Sequence, residues 1–213
     1  MAVHAPGGGA HSFWRARGEL PAGEEPCWIH AVFRGDGMRI VGGQLGGRVF
    51  HSRGFGGRPT MDRAKESLFN VLSNRVDLEG LSVVDLFAGT GAIGFEFASR
   101  GAEHVVLVEA NRKHAREIVR NAGELRLSNV EVVTARVESW LKRAEGNRYD
   151  LVFADPPYAL GLVGELPGMI RASALLRPGG LLIVEHSPGQ EFSGFTPSFA
   201  RQYGDAEFSF FLF

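Results

Sequence analysis

The chain has 213 residues, of which 44% are hydrophobic and 22% charged, and its formal net charge is −1. These values are typical of a soluble globular protein with one sizeable core. They argue against a membrane protein, because no apolar run approaches the roughly 20 residues of a membrane span. Cys27 is the only cysteine, which excludes an internal disulfide and a cysteine-rich metal site and fits the reducing cytoplasm, where we expect the protein to act.

Residues 1–37 differ in composition from the rest of the chain. They contain Gly7-Gly8-Gly9 and three prolines, show no steady hydrophobic period, and lack the apolar core of a secretory signal. We predict that residues 1–37 form a poorly ordered N-terminal extension. Residues 38–60 are expected to form a β-hairpin appendage, and residues 61–213 the main domain.

From residue 38 onward the hydrophobic pattern predicts a hairpin, a first helix, and then alternating strands and helices. The hairpin comprises Met38–Gly42 and Arg48–Phe50, and the first helix Asp62–Asn74. The predicted strands are Leu81–Phe87, His104–Glu109, Val130–Thr134, Tyr149–Ala154 and Leu181–Glu185. The helices between them are Ala92–Arg100, Arg112–Leu125, Val137–Lys142 and Gly164–Leu176, and the tail Phe192–Phe213 holds two further β-like runs. Apolar strands that alternate with helices predict an α/β fold with a parallel sheet covered on both faces.

Three candidate binding residues follow or end strands of this predicted sheet. Asp85 and a glycine turn come at the end of the first strand, Glu109 ends the second, and Asp155 follows the fourth. Ligands of open α/β sheets bind beyond the carboxyl ends of the strands. We therefore expect these residues to lie together at one edge of the sheet.

The glycine turn Asp85–Gly94 has the features of a nucleoside-cofactor site. Gly89 and Gly91 let the backbone approach a ligand closely, and the helix that follows directs its free N–H groups to the same place. Gly94 permits tight packing of that helix on the sheet. Glu109 can accept hydrogen bonds from both hydroxyls of a ribose. These features alone fit NAD and S-adenosylmethionine equally.

The loop Asp155-Pro-Pro-Tyr158 favours S-adenosylmethionine. An exocyclic base amine is a poor nucleophile because its lone pair is delocalised, so activation requires acceptors that hold its N–H groups. Asp155 offers a carboxylate, Pro156 a backbone carbonyl, and Tyr158 a ring on which an extruded base can stack. The two motifs together predict a methyltransferase that acts on an exocyclic amine of a nucleobase.

Residues 38–75 carry seven cationic side chains against two carboxylates, a net charge of +5 within a chain of net charge −1. A local basic stretch suits a polyanion bound on one face of the protein. The alternative interpretation is an ordinary solvated surface.

From residue 38 onward the chain resembles the RsmD-type methyltransferases, which modify a guanine N2 amine in bacterial 16S ribosomal RNA. The resemblance covers nearly all of residues 38–213. It rests on Arg39-Ile-Val-Gly-Gly43, Arg58-Pro-Thr-Met-Asp-Arg-Ala-Lys-Glu-Ser-Leu-Phe-Asn70, Asp85–Gly94, Asp155–Tyr158 and Tyr203-Gly204-Asp205. The block from Arg58 to Asn70 is the most specific of these motifs. The resemblance implies a Rossmann-like class I methyltransferase domain with a seven-stranded, mostly parallel sheet and an N-terminal β-hairpin.

The resemblance also implies S-adenosylmethionine as cofactor, no metal, and a role for each matching position. The cofactor-binding residues would be Asp85, Phe87, Gly89, Gly91, Glu109, Ala135 and Arg136. The residues that hold the target amine would be Asp155, Pro156, Pro157 and Tyr158, and the substrate-binding residues Arg58, Thr60, Asp62 and Arg63. The chain departs from the common pattern at Ala135-Arg136, where an Asp or Asn often accepts from the adenine amine. We therefore expect backbone groups to hold the adenine.

Two alternatives remain open at the level of sequence. The first is a DNA methyltransferase acting on adenine N6 or cytosine N4, since those enzymes share the Asp-Pro-Pro-Tyr loop. The second is a non-catalytic RNA-binding assembly factor with the same fold. The expected partner is 16S ribosomal RNA or a small-subunit assembly particle, and the protein is expected to be a monomer. His186 follows a predicted strand and is interpreted as a surface residue.

Overall fold

The computed structural model describes residues 37–52, 59–146 and 148–213, and the side chains of the first helix from residue 63 onward. The predicted N-terminal extension, apart from Gly37, lies outside the described residues, as do Arg53 and Arg58. The proposed division into extension, appendage and main domain stays a prediction.

The described elements follow the order that the hydrophobic pattern predicts. The strands are β1 (Gly37–Arg39), β2 (Val49–His51), β3 (Ser82–Leu86), β4 (His104–Glu109), β5 (Val130–Thr134), β6 (Tyr149–Ala154), β7 (Leu176–His186), β8 (Phe199–Tyr203) and β9 (Ala206–Leu212). The helices are α1 (Pro59–Ser73), α2 (Ala92–Ser99), α3 (Arg112–Leu125), α4 (Val137–Leu141) and α5 (Leu166–Ser173), and short 3₁₀ turns cover Gly43–Leu45, Tyr158–Leu160 and Val163–Glu165. Within the described residues, no helix is long and apolar enough to cross a membrane.

Seven strands form one sheet in the order β5-β4-β3-β6-β7-β9-β8, and β1 pairs with β2 in a separate antiparallel hairpin. The pairs among β3 to β7 are parallel, whereas β9 runs antiparallel to both of its neighbours. The predicted α/β fold with a mostly parallel seven-stranded sheet is therefore confirmed. Both faces of this sheet are covered, which explains why its central strands are apolar at successive positions.

The two faces of the sheet carry separate cores. The hairpin, α1, α2 and α3 pack on one face around large buried rings, among them Phe69, Phe95 and Phe153. Helices α4 and α5 cover the opposite face, where Leu166 and Ile170 are buried. The five residues predicted to form the apolar side of the first helix are all buried: Ala64, Leu68, Phe69, Val71 and Leu72.

The largest departure from the predicted boundaries lies between β6 and β7. The predicted helix Gly164–Leu176 is in fact a 3₁₀ turn followed by α5, which ends at Ser173, and Leu176 already belongs to β7. Ala174 adopts a left-handed conformation with φ of 48°, which terminates the helix. Leu176 pairs with Tyr149 on β6, and the register then shifts before Leu181. A short apolar run fits a buried strand as well as a buried helix, so pairing with β6 decides its state.

Glu96 on α2 joins the hairpin to the main body. Its side chain is fully buried, and its carboxylate accepts hydrogen bonds from the backbone N–H groups of Val41 (2.8 Å) and Gly42 (2.7 Å). Arg100 pairs with the same carboxylate at 2.9 Å, and the Lys65 Nζ lies 3.9 Å from it. Because Lys65 belongs to α1, this one carboxylate ties together the hairpin, α1 and α2.

Further hydrogen bonds reinforce this attachment. The Ser99 hydroxyl donates to the Gly42 carbonyl at 2.6 Å and accepts from the Leu45 N–H at 2.9 Å. The Asn121 side chain on α3 donates to the His51 carbonyl at 2.7 Å. The hairpin is thus held by specific polar contacts at both of its ends, in addition to the burial of Phe50 against the main core.

We predict that Glu96→Ala lowers the free energy of unfolding by about 3–5 kcal/mol, since it leaves the buried Lys65 and the partly buried Arg100 without their counter-ion and two backbone amides without their acceptor. Hydrogen exchange of the Val41 and Gly42 amides should accelerate. The exposed Glu103 is a matched control, and Glu103→Ala should change stability by about 0.5 kcal/mol or less. Denaturant unfolding measures both variants. Equal stabilities of the two would show that Glu96 does not hold the hairpin.

Candidate active site

In-register pairing of parallel strands brings four acidic residues to one edge of the sheet. Leu86 on β3 is level with Val108 on β4 and with Ala154 on β6, and Ala154 is level with Val184 on β7. The next residues along three of these strands are all acidic: Glu109, Asp155 and Glu185. Their charges, together with that of Asp85 within β3, act on one another across the edge.

The chain turns sharply after β3. Phe87, Gly89 and Gly91 all have positive φ, of 63°, 56° and 80°. A left-handed conformation at a non-glycine residue such as Phe87 costs about 1–3 kcal/mol, so the surrounding contacts must hold it in place. The Asp85 carboxylate accepts a hydrogen bond from the Gly94 N–H at 3.0 Å, which fixes the start of α2 relative to β3.

The glycines of this turn are also required by close packing. A Cβ on Gly94 would lie 2.8 Å from Leu107 Cγ on β4, so only glycine allows α2 to approach the sheet this closely. A Cβ on Gly91 would lie 3.1 Å from both Ile118 and Phe95. The turn is therefore held in place by α2, α3 and β4, which makes it a rigid platform.

Glu109 supports the same turn from β4. Its carboxylate accepts from the Gly89 N–H at 2.9 Å and from the Asn111 N–H at 2.6 Å, and the His114 Nδ1 lies 3.9 Å away. A carboxylate offers about four acceptor positions. Two positions thus remain for hydroxyl groups of a ligand, while the other two fix the carboxylate and the glycine turn relative to one another.

The loop after β6 presents polar groups and an open ring. Asp155 is exposed to solvent and Pro156 is buried. Tyr158 begins a 3₁₀ turn and is 69% exposed, which leaves the ring free to stack on a planar ligand. Among the described residues, none donates a hydrogen bond to the Pro156 carbonyl. The Pro157 carbonyl, in contrast, is used by the Leu160 N–H at 2.9 Å.

Glu185 is a candidate site residue that the sequence reasoning missed. It is half-buried and ends the long apolar part of β7, the strand beside that of Asp155. The signal was available in the sequence, because a carboxylate ending an apolar strand had already singled out Glu109. Sequence alone did not show that β7 lies next to β6.

The surrounding protein raises the pKa values of Glu185, Asp155 and Asp85. Burial is the main cause that raises the pKa of Glu185 to about 8, and the Asp155 charge adds to it. Removal of water by surrounding protein atoms raises the pKa of Asp155 to about 6. The residue as a whole nevertheless remains exposed to solvent. Burial also raises the pKa of Asp85 well above its usual range, against the lowering effect of the Gly94 hydrogen bond.

The remaining predicted site residues differ in their exposure and contacts, and some of them lie outside the described part of the chain. Ala135 donates its N–H to the Glu109 carbonyl at 3.1 Å, and Arg136 is exposed and lies 3.7 Å from Glu138. Thr60, Asp62 and Arg63 lie in the first five residues of α1, where only the side chain of Arg63 is described and is exposed. Arg58 lies outside the described residues. No group of three metal-binding side chains occurs in the described part of the chain.

The interpretation of His186 as a surface residue is wrong. Its side chain is buried, and its ring nitrogens lie 2.8 Å from the Ser209 hydroxyl and 2.8 Å from the Ser187 carbonyl. It packs against Phe192 on the face of the sheet opposite to Asp85 and Glu185. Pairing of β7 with β9 buries it, which the local sequence does not reveal.

The sheet order, the glycine turn after β3 and the acidic loop after β6 together define a Rossmann-like methyltransferase. The chain belongs to the family described as Conserved hypothetical protein 95, whose family model matches residues 38–212. It is 38% identical over 152 residues to the Ribosomal RNA small subunit methyltransferase D of Escherichia coli, covering 70% of this chain and 74% of that protein. The RsmD-type resemblance is thereby confirmed.

Two solved structures are similar over nearly their full length. The Escherichia coli protein yhhF superposes with a TM-score of 0.73 at 30% identity, covering 83% of this chain and 97% of that one. A hypothetical protein from Thermus thermophilus gives a TM-score of 0.72 at 32% identity, covering 82% of this chain and 98% of that one. The fold is therefore shared across distant bacteria.

We predict that Asp85→Asn stabilises the protein increasingly as pH rises. The folded state raises the pKa of Asp85, so wild-type stability falls as pH rises above the usual aspartate range, by at most about 1.4 kcal/mol per pH unit for one proton. Asparagine keeps an acceptor for the Gly94 N–H but has no proton to lose. The difference in unfolding free energy between variant and wild type should therefore grow from about pH 4 upward.

Denaturant unfolding at several pH values measures this difference. The exposed Asp205 serves as the control, and Asp205→Asn should leave the pH dependence of stability unchanged. A difference between Asp85→Asn and wild type that is constant with pH would mean that Asp85 ionises as freely in the folded state as in the unfolded chain.

Proposed function

We propose that this protein transfers a methyl group from S-adenosylmethionine to N2 of a guanine in small-subunit ribosomal RNA, in the cytoplasm. Relatives named Ribosomal RNA small subunit methyltransferase D support the RNA class. The main observation that supports methyl transfer is that a cofactor site and an amine-binding loop lie side by side at one edge of the sheet. The glycine turn with Glu109 lies beside the loop that contains Asp155 and Tyr158, separated by no intervening strand.

The residues around the glycine turn fit an adenosine-containing cofactor. Glu109 has free acceptor positions for the ribose hydroxyls, and the closely packed backbone at Gly89 and Gly91 leaves no side chain in the way. Asp85 fixes this turn by accepting the hydrogen bond of the Gly94 N–H, beside the position that the methionine portion would occupy. When bound, S-adenosylmethionine would supply an electrophilic methyl group next to the loop after β6.

The loop after β6 would hold the acceptor amine. The Asp155 carboxylate and the Pro156 carbonyl are two acceptors for its N–H groups, and their pull directs the nitrogen lone pair away from the ring. Tyr158 offers its exposed face to the extruded base. Asp155 also accepts the proton that the amine loses. No cation or donor among the described residues competes for the Asp155 carboxylate, since it makes no described hydrogen bond or ion pair.

The basic stretch of residues 38–75 would contribute the RNA contacts. Arg39, Arg48 and Arg63 are exposed on the hairpin and at the start of α1. Lys65 is buried near Glu96, and Arg75 lies over the Phe199 ring at 4.6 Å. The positive charge available for phosphate is therefore smaller than the net +5 of residues 38–75. Among the described residues it lies on the hairpin and at the start of α1.

We predict that Asp155→Asn lowers single-turnover methyl transfer by about 10²–10⁴-fold, because the amide is a weaker acceptor and cannot take the proton. The affinity for S-adenosylmethionine should stay within a few-fold, since Asp155 faces the acceptor. Radiolabelled transfer to small-subunit ribosomal RNA from a strain lacking the enzyme measures the rate, and mass spectrometry of digested nucleosides identifies the product. Asp205→Asn is the control.

Absence of N2-methylguanosine with the wild-type protein would refute the proposed reaction. Near-normal turnover by Asp155→Asn would instead refute the role of Asp155 while leaving the reaction intact.

We predict that the double variant Arg39→Ala/Arg48→Ala weakens RNA binding and flattens its salt dependence by about 0.7–0.9 log units for each lost phosphate contact. The matched control is Lys142→Ala/Arg143→Ala at the end of α4, which removes two exposed cations on the opposite face of the sheet. RNA affinity measured against salt concentration compares the two. Equal slopes for the hairpin variant and wild type would place the RNA contacts elsewhere.

A further inference from the structure

We propose that Glu185 and Asp155 form a carboxyl pair that reads the edge of the target base, with Asp155 ionised as the acceptor and Glu185 protonated as a donor. This inference rests on the proposed function and extends it to a residue that determines specificity. Its basis is the side-by-side placement of the two acids at the end of adjacent parallel strands, on the same side of the sheet.

The strand register brings the two acids together. Ala154 and Val184 are aligned partners on β6 and β7, so the residues that follow them are neighbours. Adjacent strands lie about 4.8 Å apart, which puts two carboxyl groups within reach of one base edge. Residues two apart on a strand share a face, so Asp155 and Glu185 lie on the side of Phe153 and Ile183, which is the side of α1 and α2.

The charged and titratable neighbours of Glu185 favour its neutral form. Asp155 on β6 acts directly on it, and Asp85 on β3 shares the same edge. On the other side, β9 places Phe208 opposite Glu185, and β8 beyond it carries Arg201 and Tyr203 on this face. Arg201 lies over the Phe199 ring at 5.5 Å and forms no ion pair within the described residues. Just after α1, which covers this face, the Arg75 guanidinium lies over that same ring.

Mixed protonation gives the pair two different functions near neutral pH. Burial and the Asp155 charge hold a proton on Glu185, whose pKa is raised to about 8, whereas Asp155, with the lower pKa of about 6, ionises first. Two such groups titrate as one coupled system with two apparent pKa values. Between those values the pair presents a carboxylate beside a carboxylic acid.

That arrangement is complementary to guanine. Its Watson–Crick edge presents two donors, N2–H and N1–H, beside one acceptor, O6. An ionised Asp155 accepts from the donors, and a protonated Glu185 donates to O6. A carboxylic acid that stays neutral at about pH 7 in order to donate a hydrogen bond is known from other enzyme sites. Adenine and cytosine have an acceptor at the ring nitrogen beside the amine, so the pair discriminates against both.

The test is the pH dependence of single-turnover methyl transfer to small-subunit ribosomal RNA by wild type, Glu185→Gln and Glu185→Ala. Wild-type rates should rise as Asp155 ionises and fall as Glu185 ionises, so that the rate at pH 9 is about tenfold below that at pH 7. Glutamine donates at every pH, so Glu185→Gln should lose the alkaline fall and keep the acidic rise. Alanine should lower the rate by about tenfold at pH 7, the loss of one hydrogen bond.

An alkaline fall that survives in Glu185→Gln would overturn the inference, because it would then arise from another group such as N1 of the guanine itself. So would equal rates for Glu185→Gln and Glu185→Ala near neutral pH. If wild type makes no N2-methylguanosine at all, the proposed function fails, and the pair itself is tested without substrate by carbon-13 NMR of labelled glutamate carboxyls.

In that measurement Glu185→Gln identifies the resonance, and the Glu185 carboxyl should titrate near its raised pKa of about 8 in wild type. In Asp155→Asn it should titrate lower, because the neighbouring charge is gone. An unchanged midpoint would show that the two carboxyl groups do not form a pair.

Discussion

The in-register parallel pairing of β3, β4, β6 and β7 is the constraint on which the candidate site depends. These strands are largely apolar because both of their faces are covered, and Glu109, Asp155 and Glu185 stand at or just beyond their carboxyl ends. Parallel direction turns four separate strand ends into one edge with four carboxyl groups. Removal of water and the nearby negative charges disfavour the charged forms of Asp85 and Glu185, and removal of water also raises the pKa of Asp155.

A second constraint is the attachment of the hairpin. The two motifs Arg39–Gly43 and Arg58–Asn70 are separated in sequence, yet Lys65 of the second motif and the backbone of the first meet at the Glu96 carboxylate. Lys65 also donates to the Arg39 carbonyl. Part of the motif Arg58–Asn70 therefore fixes the hairpin against α2. Lys65 thus holds the hairpin in place, whereas Arg48 is exposed on the hairpin surface.

Rigidity and strain coexist at the glycine turn. Phe87 adopts a left-handed conformation that its side chain disfavours, and the surrounding contacts keep it there: Asp85 holds Gly94, and Glu109 holds Gly89. Both side chains are thus structural, and Glu109 still has acceptor positions for a ligand. A substitution at either residue combines two effects, so cofactor affinity and stability must be measured separately.

Local patterns in the sequence were enough to predict the order of the elements, the parallel α/β class and the placement of the candidate residues Asp85, Glu109 and Asp155 at one edge of the sheet. Those patterns are apolar periodicity, a glycine spacing, and a carboxylate at a strand end. The folded chain alone revealed that Glu185 stands beside Asp155, that Lys65 and His186 are buried, and that α5 ends at Ser173. Each of those outcomes depends on which strand lies next to which and on contacts between residues far apart in the chain, and no local pattern carries that information.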